Sequence, residues 1–196
     1  MQLTLPFTFA LKNLRFLLLL PLLASCDDVA DQLYPQPQPV QLPAETKAGA
    51  NTFGCLVNGQ VWEANNATTL AGNVLTPNAT YHHGELRIDA FRRLQVDGPV
   101  TNFYFTATRV TGPGVYALRQ GRSARLETLS REYGYVADTL RVGTLTVTRL
   151  DTTGARPVVA GRFELRAVSR GASRSAEFPA ELRITAGRFD IQLNRR

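Results

Sequence analysis

From Asn51 onward the chain consists of short apolar runs broken by Gly, Asn, Pro and Asp, and nowhere is a 3.6-residue period sustained. A period of two with turn residues at the breaks is the pattern of strands that bury one face. It predicts strands at Phe53–Val57 and Val61–Ala64, joined by Asn58-Gly59, the dipeptide that best accepts the positive φ angles of a two-residue hairpin. Residues 65–84 read as loop, with one short strand near Asn73–Leu75. Glu85–Phe91 and Thr101–Val110 follow as strands, the second with Phe103, Phe105 and Ala107 on one face. Val115–Leu118 is a short strand. Ala124–Thr128 and Tyr133–Ala137 fit a second hairpin, and Ser123–Ser130 also fits one helical turn capped by Ser123.

Alternation is strictest toward the C-terminus. Phe163, Leu165 and Ala167 alternate with Arg162, Glu164 and Arg166; Leu182 and Ile184 with Glu181 and Arg183; Phe189, Ile191 and Leu193 with Arg188, Asp190 and Gln192. These are three strands with one face toward a core and the other toward water. In Thr139–Leu150 the parity changes, from Leu140 and Val142 to Leu145 and Val147, so Gly143 marks a bulge or a break between strands. AGRFEL (Ala160–Leu165) recurs as AGRFDI (Ala186–Ile191), which reads as two strands with the same job. Each opens at a glycine that permits a bend or a close backbone approach before a core Phe.

Residues 50–196 therefore form one all-β domain. At this size a chain buries roughly 68–70% of its unfolded surface, enough for a core without disulfides or metal. About nine to eleven strands suit an antiparallel β-sandwich or a flattened barrel better than an open sheet.

The start of the chain is different. Residues 1–25 carry Lys12 and Arg15, no acid, and then nine apolar or proline residues, Phe16–Ala24. That run is shorter than the ~20 residues of a membrane-spanning helix and matches the core of a signal peptide. It ends in LLASC, which looks like a bacterial lipobox. Ala24 and Ser25 are the small pair a lipoprotein signal peptidase reads before cutting ahead of a cysteine, so Cys26 becomes the lipidated first residue. The partner this implies is a membrane, held through N-terminal acyl chains at ~0.8 kcal/mol per buried methylene. Residues 26–49 hold Pro35, Pro37, Pro39 and Pro43 and no periodicity, and read as a tether. Its PQPQP core favours polyproline II at ~3.1 Å per residue, a stiff spacer.

Charge and cysteine narrow the function classes. The 22 basic residues exceed the 16 acidic ones, for a net +6 that falls to +4 once Lys12 and Arg15 leave with the leader. The arginines are spread over nearly every strand and interleaved with acids, whereas a nucleic-acid module clusters its charge with aromatics between, so no nucleic acid is expected as a partner. Lipidation of Cys26 leaves Cys55 as a lone thiol, expected to be buried. A Cys26–Cys55 disulfide would require the lipobox resemblance to be accidental.

No catalytic template is present: no G-x-S-x-G, no H-E-x-x-H and no Walker loop. The two histidines, His82 and His83, are adjacent, and adjacent residues of a strand point to opposite faces. With Tyr81 and Glu85 a loop could still gather them, but zinc requires three or four convergent ligands. The expectation is a solvated turn, with no metal, no cofactor and no enzyme activity. Trp62 follows Gly59 one residue later than the G-x-W of lipocalins would have it, and is expected in the core. A lipocalin-like carrier of a small apolar ligand is the alternative to a non-enzymatic binding or structural domain.

Four stretches, NTFGCLVNGQVW (Asn51–Trp62), GTLTVTRLD (Gly143–Asp151), AGRFELRAV (Ala160–Val168) and ITAGRFD (Ile184–Asp190), resemble an uncharacterised family of Bacteroidota lipoproteins. The resemblance covers most of the domain; the PQPQP tether departs from it. It implies an outer-membrane lipoprotein, at the cell surface or on the periplasmic face, and no particular activity or protein or glycan partner, because the family is a domain of unknown function. In such bacteria Asp27-Asp28 resembles the acidic signal for surface export. Asp138-Thr139-Leu140 and Asp151-Thr152-Thr153 resemble O-glycosylation acceptor sequences, with Thr139 and Thr152 as acceptors.

Overall fold

The computed structural model describes residues 41–65, 67–69, 72–93, 100–118, 123–128, 134–170 and 179–194. Every regular element among them is a β-strand: β1 (Thr52–Val57), β2 (Gln60–Glu63), β3 (Ala67–Thr69), β4 (Gly72–Val74), β5 (Asn78–His82), β6 (Glu85–Arg93), β7 (Val100–Ala107), β8 (Gly114–Leu118), β9 (Ala124–Thr128), β10 (Gly134–Ala137), β11 (Gly143–Asp151), β12 (Val158–Ser169) and β13 (Glu181–Gln192). Eleven of them form one curled antiparallel sheet, a half-barrel, and β3 and β4 pair separately. The expected hairpins are present. Asn58 (φ 49°) and Gly59 (φ 84°) turn β1 into β2, and β9 pairs with β10 rather than coiling as a helical turn. Residues 65–84, expected to be loop with one short strand near Asn73–Leu75, hold that strand as β4 and also β3 and β5. Strands this short offer too few alternations to stand out from their Asn- and Gly-rich surroundings.

The sheet runs β2-β1-β13-β12 and forks on the far side of β12. There β11 lies along Val158–Glu164 and β10 along Ala167–Ser169, so the two follow one another on the same edge. From β10 one arm continues through β9, β7 and β6 to β5; from β11 the other adds only β8. The parity change read at Gly143 is this fork. A side chain on Gly143 would place its Cβ 2.6 Å from Leu165 Cβ and 3.0 Å from Glu164 O, so only glycine lets the chain rejoin β12 there. Before it, Leu140 and Val142 face solvent. The curl brings the outer edge of β5 back to the end of β13, where Ala79 bridges Leu193 and accepts a hydrogen bond from Asn194 N at 2.8 Å.

The two GRF segments prove to be each other's partners. Across β12 and β13, Gly161 faces Phe189, Arg162 faces Arg188, and Phe163 faces Gly187. Each ring lies over the partner glycine. A Cβ on Gly187 would sit 2.5 Å from both Phe163 Cδ2 and Phe163 O, and one on Gly161 would collide with Thr146 O and Phe189 Cζ. Phe163 then stacks on Phe53 at 5.0 Å, and Phe103, Phe105 and Trp62 surround Phe53 at 5.7 to 5.8 Å. Trp62 is a core residue that donates its indole N–H to Thr101 Oγ1 at 2.8 Å. Five interlocked aromatic side chains thus fill the space inside the curl, each pair adding ~0.5–1.5 kcal/mol beyond area burial.

Two expectations for the C-terminal segment change. Leu182–Ile184 and Phe189–Leu193 are not separate strands; β13 runs through both, with register irregularities against β1 and β12 around Ala186, whose φ is 50°. An extra residue there flips the parity, so Leu182 and Ile184 on one side and Phe189 and Ile191 on the other all face inward. Asp190, expected on the wet face, is only 1% exposed. The stretch Pro43–Ala50, most of it read as the end of the tether, covers it. Asp190 Oδ2 accepts from Thr46 Oγ1 (2.6 Å), Ala48 N (2.9 Å) and Ala50 N (3.1 Å), and Oδ1 accepts from Gly49 N (2.7 Å). Arg188 donates to Pro43 O, Arg149 to Lys47 O, and Arg162 pairs with Glu45 at 2.6 Å. The segment is a strap across the outer face of β12 and β13. Burial pushes the Asp190 carboxyl up, but the Thr46 hydroxyl and the three amides outweigh it and hold the group below the usual carboxylate range.

Phe163→Ala should cost ~3–5 kcal/mol and Gly187→Ala at least ~2, read by urea unfolding, because one empties and the other overfills the same contact. Arg162→Ala, which removes an exposed ion pair with Glu45, should cost less than ~1 kcal/mol. An Arg162 change more harmful than the Phe163 change would overturn this packing. Asp190→Asn should cost about 2–4 kcal/mol at neutral pH, since an amide cannot accept from four donors. Because the folded carboxyl titrates below the unfolded value of ~3.9, that difference should persist above pH ~4 and shrink as the pH falls through the folded value. A pH-independent difference would show that ionisation of Asp190 is not what fastens the strap.

Candidate functional site

The β5–β6 hairpin carries a concentration of exposed functional groups. Alternation in β5 turns Ala79 and Tyr81 inward, Tyr81 giving its hydroxyl to Val110 O at 2.7 Å, and leaves Asn78, Thr80 and His82 outward. In β6, Leu86, Ile88 and Ala90 are buried and Glu85 and Arg87 lie on the outer face. The register sets Thr80 beside Arg87 and His82 beside Glu85. Thr80, His82, His83, Glu85 and Arg87 together line a groove of about 310 Å³.

The turn shapes this groove. His83 (φ 46°) and Gly84 (φ 79°) both have positive φ, the requirement of a tight hairpin turn, with histidine in the position that asparagine usually occupies. The two histidines lie at an exposed turn, as expected. His83 is in the turn rather than in the strand, so alternation no longer governs it, and the imidazoles lie 4.0 Å apart at 31°. Tyr81 points away from them. Glu85 is engaged by Arg87 through Nε, and among the described residues no three of His, Cys, Asp or Glu gather to hold a metal ion.

A non-glycine residue in the left-handed region costs ~1–2 kcal/mol. Beside His83 a second one, Arg109 (φ 60°), abuts the same turn: Val110 N donates to Gly84 O at 2.9 Å, and a Cβ on Gly84 would be 3.7 Å from Arg109 Cα. Two basic residues with left-handed backbone thus meet at one turn. In the sequence, the alternation of Ala79–His82 and Glu85–Ile88 about His83-Gly84 is the signal for this hairpin, obscured because His-Gly is an unusual turn dipeptide.

The other candidate residues are dispersed. Cys26, Asp27 and Asp28 lie outside the described residues. Thr139 and Thr152 are exposed, each following an Asp that closes a turn with its own carboxylate. Asp138 Oδ1 accepts from Leu140 N at 2.9 Å, and Asp151 Oδ1 from Gly154 N at 3.1 Å and Thr153 N at 3.2 Å. The Gly154 amide, the Arg149 guanidinium and the Thr153 amide hold Asp151 below the usual carboxylate range. Cys55 is a free, buried thiol that burial pushes far up, with Arg92 pulling weakly the other way, so it is not poised as a nucleophile.

No protein-family model, curated protein or solved structure matches the chain.

His83→Gly should raise stability by ~1 kcal/mol in thermal or urea unfolding, because glycine relieves the left-handed strain and only an exposed ring is lost. A fall in stability would mean that contact between the two imidazoles holds the hairpin together.

Proposed function

We propose that the protein is a lipid-anchored outer-membrane lipoprotein whose all-β domain is a non-enzymatic binding module, with the β5–β6 groove as its binding face. Anchoring rests on the sequence: a basic start, a short apolar core and LLASC, with Cys26 as the acylated residue and Asp27-Asp28 as the signal for the outward leaflet. The observation that carries the reading is the strap. A tethered domain needs a firm point of attachment, and Pro43–Ala50 is fastened to the sheet by Asp190, Arg162 and Arg188. The resemblance to Bacteroidota lipoproteins is consistent with this placement. Binding is favoured over catalysis because the sequence holds no nucleophile, zinc or phosphate-binding template and Cys55 is buried.

The lipocalin-like alternative has less support. The inside of the curl holds Phe53, Trp62, Phe103, Phe105 and Phe163 in mutual contact, where a carrier would keep room for its ligand. Thr139 and Thr152 fit the role of O-glycan acceptors, since each is exposed on a turn that an enzyme can reach. Intact-mass measurement of the native protein and of its Thr139→Ala and Thr152→Ala variants tests this.

Cys26→Ser should abolish labelling by radioactive palmitate and move the protein from the membrane to the soluble fraction. Retention of the variant in the membrane would refute the lipoprotein reading. With Cys26 intact, protease added to whole cells should remove the protein, and Asp27→Ala with Asp28→Ala should protect it. Wild-type protein that resists until the cells are broken would place the domain on the periplasmic face.

A further inference from the structure

The groove at the β5–β6 hairpin is lined by hydrogen-bonding groups and one guanidinium. The Thr80 hydroxyl, the imidazoles of His82 and His83 and the guanidinium of Arg87 line it, and Glu85 supplies its one carboxylate. Glu85 takes the Nε–H of Arg87, so it orients the guanidinium while leaving both terminal nitrogens without a protein acceptor among the described residues. A second guanidinium, that of exposed Arg109, belongs to the backbone packed against the His83-Gly84 turn. None of these five residues is an aliphatic or phenyl side chain of the kind that lines a hydrocarbon site.

A planar guanidinium held by one nitrogen and open at the other two is the geometry that grips a carboxylate or phosphate through paired hydrogen bonds. The imidazoles of His82 and His83, tilted at 31° with centroids 4.0 Å apart, line the same groove, and imidazole and hydroxyl groups both hydrogen-bond to alcohols. The groove's volume of about 310 Å³ is at the lower end of small-ligand sites, ~300–1,000 Å³. We propose that the groove binds a hydroxylated anion, a saccharide carrying a carboxylate or a phosphate group. Arg87 grips the anionic group, Glu85 fixes Arg87, and Thr80, His82 and His83 bond to the hydroxyls. This inference rests on the binding-module reading and names the ligand class for that site.

The chain has two histidines and both lie in the groove, so their imidazole proton resonances report on this site alone. The full chain, purified in detergent without an affinity tag, is titrated with a uronic-acid disaccharide, a hexose phosphate and a neutral disaccharide. At least one anionic probe should shift both imidazole resonances saturably, and the neutral probe should bind ~10-fold more weakly or not at all; which anion acts separates a carboxylate source from a phosphate source. Arg87→Gln should weaken the anionic probe by ~10-fold or more, the equivalent of about 1.4 kcal/mol. Arg183→Gln, on exposed β13 surface, should leave it unchanged. Equal binding of the neutral probe, unaffected by Arg87→Gln, would overturn the anion assignment and leave a binding module of other specificity. No saturable shift with any of the three would overturn both the assignment and the groove as the binding face.

Discussion

The antiparallel pairing of the two GRF segments is the contact on which the rest of the fold depends. Each phenylalanine needs a place where the neighbouring strand has no side chain, and the glycine of the other segment provides it. A slip of one residue would drive both rings into Cβ atoms and turn the core positions outward, so the register of the two longest strands is set by sterics as much as by hydrogen bonds. The bulge at Ala186 follows from it. Leu182 and Ile184 can share the inner face with Phe189 and Ile191 only if the strand gains a residue between them. The fork at Gly143, where β11 comes back to β12 beside Leu165, completes the frame around Phe163.

The opposite face of the same motif attaches the domain to what precedes it. Arg162 and Arg188, paired across the strands, reach the strap at Glu45 and Pro43, and Asp190 receives Thr46 and three amides. Burying a carboxylate is costly unless hydrogen bonds replace its water, and here four donors do so. One short sequence thus serves the core with its Phe and Gly and the attachment point with its Arg and Asp.

The β5–β6 hairpin has a different character. Its inward residues belong to the core, while the outward ones gather charge and imidazole around a groove, with left-handed backbone at His83 and at Arg109 in the segment packed against the turn. A rigid sheet with an exposed, polar, locally strained turn is the usual division between scaffold and site.

Much of the fold is legible in the sequence because it depends on local chemistry. Period-two alternation reveals β6, β7, β12 and both halves of β13, Asn58-Gly59 the first hairpin, and the parity change at Gly143 the break in the chain, since each follows from one side chain per pleat and from the steric demands of tight turns. The core roles of Phe163, Phe189 and Trp62 are equally readable. What only the tertiary structure decided were pairings between residues far apart in the chain. That the two GRF segments face each other and that Pro43–Ala50 folds over Asp190 depend on which backbone lies alongside which. Alternation tells a residue's face but not what covers that face, and Asp190 reads as solvated for that reason: its cover comes from a segment whose composition alone resembles a linker.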